Sequence, residues 1–340
     1  MPPPDQASPP LDGPARHRTR YLAVLVNDRD VALLEVARGG WSDRGAIELA
    51  VGYSDKSLSR GFTRLTGLGL LAEREARSRR EDRKVHEYRT SASGEGLLKV
   101  HVEMFAAAVA LDAAGGGRRQ LLSGAARDRR CLLVGRVVLV RPQTFTEVLQ
   151  EARGLGRSWG MGEAANLDHS GLTRRLRLLE RLGLVAREHS PQGAILYSRG
   201  PQMWLLARLA VEASLWRSIY TPEDIPPLAG ELLGLVEMVI DRVRLDPELG
   251  PATVVLHVQP PAGTPGWLDA ALDVEAGRIR VIRGGASRAS TAYVPAPLRR
   301  WCEALRDGDF DAITIEGSRP IGDAVLKGVA AAMPPPSNAP

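Results

Sequence analysis

Apolar residues recur along this chain in two blocks that share one spacing. In the run from Ser54 to Gly69, SDKSLSRGFTRLTGLG, Leu58, Phe62 and Leu65 stand at i, i+4 and i+7, on one face of a helix. In DHSGLTRRLRLLERLG, which begins at Asp168, Leu172, Leu176 and Leu179 repeat that stripe in the same register. Laying Leu58 on Leu172, an offset of 114, also matches Ser59 with Thr173, Arg60 with Arg174, Leu65 with Leu179, Leu68 with Leu182, Gly69 with Gly183 and Ala72 with Ala186. The chain therefore carries one unit in two copies.

The patterning around each stripe predicts the same order of elements. In the first copy DRDVALLEVARG and WSDRGAIELAVG read as helices, and the striped run is a third, with Ser54 or Asp55 as its N-cap and Gly67 or Gly69 near its end. LLAEREAR and VHEYRTS then read as two strands joined by the polar run SRREDRK, and a long helix follows from Gly94. In the second copy CLLVGRVVLV and FTEVLQEA are the first two helices, and a Gly-rich loop, RGLGRSWGMGE, precedes the third. A shorter hairpin and a long helix from Pro201 close it. Three helices, a two-stranded wing and a trailing helix predict a winged helix-turn-helix, twice.

From Pro226 the pattern changes. LAGELLGLVEMVIDRVR reads as a helix, and TVVLHVQ, WLDAALDVEAGRIRVIRGG and STAYV as antiparallel strands. PLRRWCEALRDG is a helix, and ITIEGSRPIGDAVLKGV closes as a strand and a helix. The expected fold class is α+β: two tandem winged helix-turn-helix domains, 21–116 and 117–225, followed by a smaller α/β sandwich, 226–332. The Pro-rich ends, 1–20 and 333–340, read as disordered tails.

Composition narrows the function. The longest apolar candidate for a membrane span, CLLVGRVVLV, is short and interrupted by Arg136, and MPPPDQASPPLDGP lacks the character of a signal peptide. Cys131 and Cys302 form no C-x-x-C pair, which argues against a disulfide framework or a thiolate metal site and fits a reducing cytoplasm. From Pro226 onward eleven Arg and Lys face fourteen Asp and Glu, so the preceding 225 residues carry about +8 against a chain total of +5. The repeated part is thus the basic part, and a polyanion is its expected partner.

A third helix docked by its apolar stripe offers its other face to base edges and phosphates. That face carries Lys56, Ser57, Ser59, Arg60 and Arg64 in the first copy and His169, Ser170, Thr173, Arg174 and Arg177 in the second. Arg77, Arg79, Arg80, Arg83 and Lys84 crowd onto the first hairpin, where they suit phosphates or a narrow minor groove. Leucine stripes are core whatever a protein does, and an Arg-rich helix taken alone is slightly better explained by a solvated face than by DNA contact; the conjunction, repeated, is what favours double-stranded DNA. The chain shows no Walker loop, G-x-S-x-G, H-E-x-x-H or metal-ligand spacing, so the expectation is a non-enzyme with no cofactor, no catalytic residues and no metal. A protein that sequesters an apolar metabolite, with the winged helices as scaffold, is the alternative.

The run SDKSLSRGFTRLTGLGLLAERE with YRTSASGEGLL, and TFTEVLQEA with LDHSGLTRRLRLLERLGLVARE, resemble the HxlR-type winged helix regulators, relatives of the MarR group, over roughly residues 21–220. That resemblance implies a bacterial transcription factor which dimerises through its terminal helices and reads an inverted repeat. Fused copies depart from the usual arrangement, and here they imply an internal pseudo-dimer, acting as a monomer or as a further homodimer. Cys131 is the sole counterpart of the cysteine that many members carry before their first helix. The third section is similar to the sterol-carrier-protein-like domain appended to some of these regulators. It implies an apolar site for a hydrophobic small-molecule effector, with Trp267, Leu298, Trp301, Leu305, Val325 and Leu326 as candidate lining.

Overall fold

The computed structural model describes residues 24–25, 27–53, 55–77, 84–113, 121–122, 124–125, 128–158, 166–220, 229–259, 268–282 and 290–335. The tail at 1–20, Arg79, Arg80, Arg83, Trp267 and the last five residues lie outside them.

Each copy begins with a capped helix. Asn27 accepts the Arg29 N–H at 3.2 Å and starts α1 (Asp28–Val36), which buries Val31, Leu33 and Leu34. Two residues form β1 (Ser42–Asp43), and the Asp43 carboxylate then caps α2 (Arg44–Val51) by accepting the Ala46 N–H at 2.9 Å. Helix α3 (Asp55–Gly67) buries Leu58, Phe62 and Leu65, as the stripe requires. It leads into the antiparallel pair β2 (Leu71–Arg77) and β3 (Lys84–Thr90), followed by α4 (Ala92–Ala113).

In the second copy Asp128 accepts the Arg130 N–H at 3.0 Å and starts α5 (Arg129–Val140). After β4 (Gln143–Thr144), Thr144 and Glu147 cap α6 (Phe145–Ser158) reciprocally: the Thr144 N–H donates to the Glu147 carboxylate at 2.7 Å and the Glu147 N–H to Thr144 Oγ1 at 3.4 Å. Helix α7 (His169–Arg181) buries Leu172, Leu176 and Leu179 and leads into the antiparallel pair β5 (Val185–His189) and β6 (Ile195–Arg199). A 3-10 turn at Met203–Leu206 then precedes α8 (Ala207–Tyr220).

The two small sheets have the same order, β1-β3-β2 and β4-β6-β5. Two strands were expected in each; the third, two residues long, is too short for alternation to reveal. The Gly-rich loop is also revised, because α6 continues to Ser158 and makes Arg153–Ser158 helical, while 159–165 lie outside the described residues. Glycine weakens a helix by about 1 kcal/mol relative to alanine. Tertiary contacts offset this: Arg153 Nε donates to the Leu167 carbonyl at 2.7 Å, and Leu155 packs on the core of the second copy.

The remaining section comprises α9 (Ala229–Val239), β7 (Ala252–Gln259), β8 (Leu268–Glu275), β9 (Arg278–Ile282), β10 (Ala292–Pro297), α10 (Leu298–Asp307), β11 (Glu316–Gly317) and α11 (Arg319–Ala331). Its sheet runs in the order β11-β10-β7-β8-β9. The expectation of antiparallel strands throughout is corrected here, since β10 runs parallel to β7, with Ala292 opposite Val254 and Pro297 opposite Gln259. Alternation tells which residues face inward and carries no information about strand direction. The fold class is α+β.

The chain divides into two compact units between Val102 and Glu103, within α4. The second copy and the sheet section share one unit. Trp204 and Met238 each pack against both of its cores, and Arg199 of β6 donates to the Glu237 carbonyl and pairs with Asp241. Among the described residues no helix is long and apolar enough to cross a membrane.

Two glycines test this packing in opposite directions. The Gly200 N–H donates to the Leu184 carbonyl at 2.9 Å, and a Cβ at Gly200 would lie 2.2 Å from the Gly183 carbonyl oxygen, a backbone atom that cannot turn aside. Gly200→Ala is expected to lower the unfolding free energy by about 2 kcal/mol. A Cβ at Gly154 meets nothing within 4 Å. Gly154→Ala should raise stability by roughly 0.5–1 kcal/mol, as it does in a helix and not in a loop. Denaturant titration of the full chain measures both.

Candidate nucleic-acid interface

The exposed side of α3 is built on a tether from α2. Arg44, the first residue of α2, is held by Glu48 one turn on at 2.6 Å and donates from Nη2 to Ser59 Oγ of α3 at 2.5 Å. Its guanidinium also lies 5.7 Å from the centre of the Phe62 ring, which packs on Tyr88 of β3 at 4.4 Å. Arg60 is exposed beside this tether. Lys56 and Ser57 fall within α3, but their side chains lie outside the described residues.

Arg64 has a different partner. It pairs with Asp30 of α1, whose carboxylate is fully buried. Burial raises the Asp30 carboxyl above the usual carboxylate range, and Arg64 only partly offsets this. The arginine expected on the DNA-facing side therefore also neutralises a charge beneath the helix and fixes α3 to α1. Sequence pattern could not single out Asp30 from Asp28 two residues earlier, since both open the same helix.

In the second copy α7 opens at Asp168, whose carboxylate accepts the Gly171 N–H at 2.7 Å and the Ser170 hydroxyl at 3.0 Å. These bonds hold its carboxyl below the usual range. His169 stacks on Phe145, the first residue of α6, with ring centroids 5.7 Å apart and planes 21° from parallel. Thr173 Oγ1 donates to the His169 carbonyl at 2.9 Å, while Arg174 and Arg177 are exposed. The structure thus gathers His169, Ser170, Thr173, Arg174 and Arg177 on the outward side of one helix. Arg175, on the opposite side, is buried and pairs with Asp128 at 2.7 Å while donating to the Gly171 carbonyl at 2.8 Å. Each copy therefore joins a carboxylate at the start of its first helix to an arginine of its third, at non-equivalent positions that the offset of 114 conceals.

In the described part of the first hairpin several of the charges are paired. Lys84 pairs with Glu75 at 2.8 Å and Arg74 with Glu87 at 2.7 Å, while Arg74 and Arg89 both lie over the Trp41 ring, at 4.3 and 5.0 Å from its centre. Tyr88 donates to Glu73 at 3.1 Å, and burial with that nearby carboxylate pushes its hydroxyl up to about 12. The Arg77 side chain lies outside the described residues, as do Arg79, Arg80 and Arg83. Trp41 was not singled out by its sequence neighbours; only the hairpin brings two arginines to it.

Leu298, Trp301, Leu305, Val325 and Leu326, expected as the lining of a ligand site, sit together in the core of the sheet section, none more than 4% exposed. Trp301 Nε1 donates to the His257 carbonyl at 3.4 Å. They belong to one buried apolar cluster, which by itself accounts for them as core. Among the described residues no group of three His, Cys, Asp or Glu side chains is placed to hold a metal ion. Compared with known proteins, the chain matches no family model and no curated relative.

Two predictions follow from this chemistry. Burial pushes both the Cys131 and the Cys302 thiols up to about 12. The native protein should show no fast-reacting thiol in a neutral thiol-reagent titration and two once unfolded, because the thiolate is the reacting form. Arg64→Ala, which strips a buried carboxylate of its partner, should lower stability at neutral pH by about 2 kcal/mol, allowing for the half-exposed guanidinium. Adding Asp30→Asn should recover part of that loss, and so should lowering the pH as the Asp30 carboxyl takes up a proton; thermal melts of the two variants read both effects.

Proposed function

We propose that the chain is a sequence-specific double-stranded DNA-binding regulator of transcription, with two tandem winged helix-turn-helix domains as its reading heads. The observation that carries this reading is repetition of architecture together with chemistry. Each copy has three helices and a small sheet of the same order, and each third helix carries an exposed arginine at the same aligned position, Arg60 and Arg174. A bundle that buries one side of its third helix and leaves short polar and basic residues on the other suits a major groove. The likeness of the sequence to HxlR-type regulators agrees with it.

In this reading the two copies act as an internal pseudo-dimer on one duplex. The operator is then an imperfect palindrome, because the residues presented by the two helices differ. The arginine-rich first hairpin adds contacts to phosphate that do not depend on sequence. The section after Pro226 is a sterol-carrier-protein-like module, and a hydrophobic effector there would modulate DNA binding through the core contacts that Trp204 and Met238 make with the second copy.

Anisotropy titrations with genomic duplex fragments between about 50 and 200 mM salt test the reading. Affinity should fall steeply with salt, and Arg60→Ala or Arg174→Ala should each flatten the log–log slope by about 0.9 if the residue contacts one phosphate. If either instead contacts a base, its replacement should relax preference at one operator position and leave the slope unchanged. A protein that binds no duplex at the lowest salt contradicts the proposal.

A further inference from the structure

Ser59 and Thr173 hold the same position in the two copies, on the side of α3 and α7 where the neighbouring arginine, Arg60 or Arg174, is exposed. Their hydroxyls are engaged in opposite senses. Arginine can only donate, so Ser59 Oγ, at 2.5 Å from Arg44 Nη2, acts there as an acceptor. A carbonyl can only accept, so Thr173 Oγ1, at 2.9 Å from the His169 carbonyl, acts there as the donor. A hydroxyl has one hydrogen and two lone pairs. After these bonds Ser59 retains its hydrogen and one lone pair, whereas Thr173 retains lone pairs only.

We infer that the two reading heads differ in hydrogen-bond polarity at this shared position: Thr173 can only accept, whereas Ser59 can also donate. The inference rests on the proposal that α3 and α7 read DNA. In the major groove a donor selects acceptor edges, of which guanine, with N7 and O6 side by side, is the richest; an acceptor selects the amino groups of cytosine N4 or adenine N6. The neighbouring cations Arg44 and Arg60 favour an acceptor-rich edge, on which Ser59 serves as a donor, so the base facing it is guanine. The base facing Thr173 is cytosine or adenine.

The difference originates one helix earlier, at the first residue of the second helix. Arg44 stands there in the first copy, preset by Glu48 at 2.6 Å. Phe145 stands there in the second; an aromatic ring cannot donate as a guanidinium does, and it stacks on His169 instead. Thr173 is left to bond its own helix, as a threonine hydroxyl does when no outside donor engages it.

Selection of bound duplexes from a random pool, using the full chain, tests this. The wild type should return guanine at one position of one half-site and cytosine or adenine at the corresponding position of the other. Thr173→Val should lose about tenfold discrimination at the second position alone, Ser59→Ala at the first alone, and Thr173→Ser should keep the wild-type preference. Circular dichroism melts establish that each variant is folded. The same base at both positions, or Val and Ala variants that return the wild-type preferences, overturns the polarity assignment while DNA reading stands. A wild type that enriches no sequence overturns the DNA-reading proposal and this inference together.

Discussion

Docking of a third helix onto a first is the constraint on which each copy depends. Leu58, Phe62 and Leu65 in α3, and Leu172, Leu176 and Leu179 in α7, remove an apolar face from water, and each such side chain contributes roughly 1.5–3 kcal/mol when fully buried. Burial alone does not fix rotation of the helix about its axis. Charge assists there: Asp30 takes Arg64 in one copy and Asp128 takes Arg175 in the other. A buried charge, the Asp30 carboxylate in the first pair and the Arg175 guanidinium in the second, is strongly unfavourable without its partner, so each pair penalises rotation that would separate it. The outward residues of each third helix are placed by what lies beneath.

The same solution reached by different residues is what makes the copies unlike. The first copy places Gly61 where the second has Arg175, and an added Cβ at Gly61 would come within 2.6 Å of Leu33, so the first copy packs closer at that point. Its carboxylate–arginine pair falls instead on Arg64, at a position where the second copy has Leu178. Arg44 and Phe145, each at the start of a second helix, then set the surroundings of Ser59 and Thr173. The two copies share their architecture while the polar chemistry around their third helices differs.

The sheet section and the second copy form one unit with two cores joined through Trp204 and Met238. Polar contacts strengthen the joint. Arg199, at the end of the returning hairpin strand, reaches Glu237 and Asp241, and the Arg242 guanidinium lies 3.8 Å from the centre of the Trp204 ring. None of this was visible in the sequence, where Pro226 marked only a change of pattern.

Periodicity, capping residues and the offset of 114 determined the helices, the hairpins, the repeat and the buried stripes, because these arise from interactions among residues close in the chain or from a strict period. Strand direction in the large sheet, the third strand of each small sheet and the helical extension through Gly154 escaped it, since each depends on partners far away in sequence. The candidate site was divided in the same way. Sequence could place Arg60, Arg174 and Arg177 on an outward face, but only the tertiary structure decided that Arg64 is turned to a buried Asp30 and that Ser59 accepts where Thr173 donates. A local pattern records which side of a helix is apolar; which polar group meets which is settled by the folding of distant segments against one another.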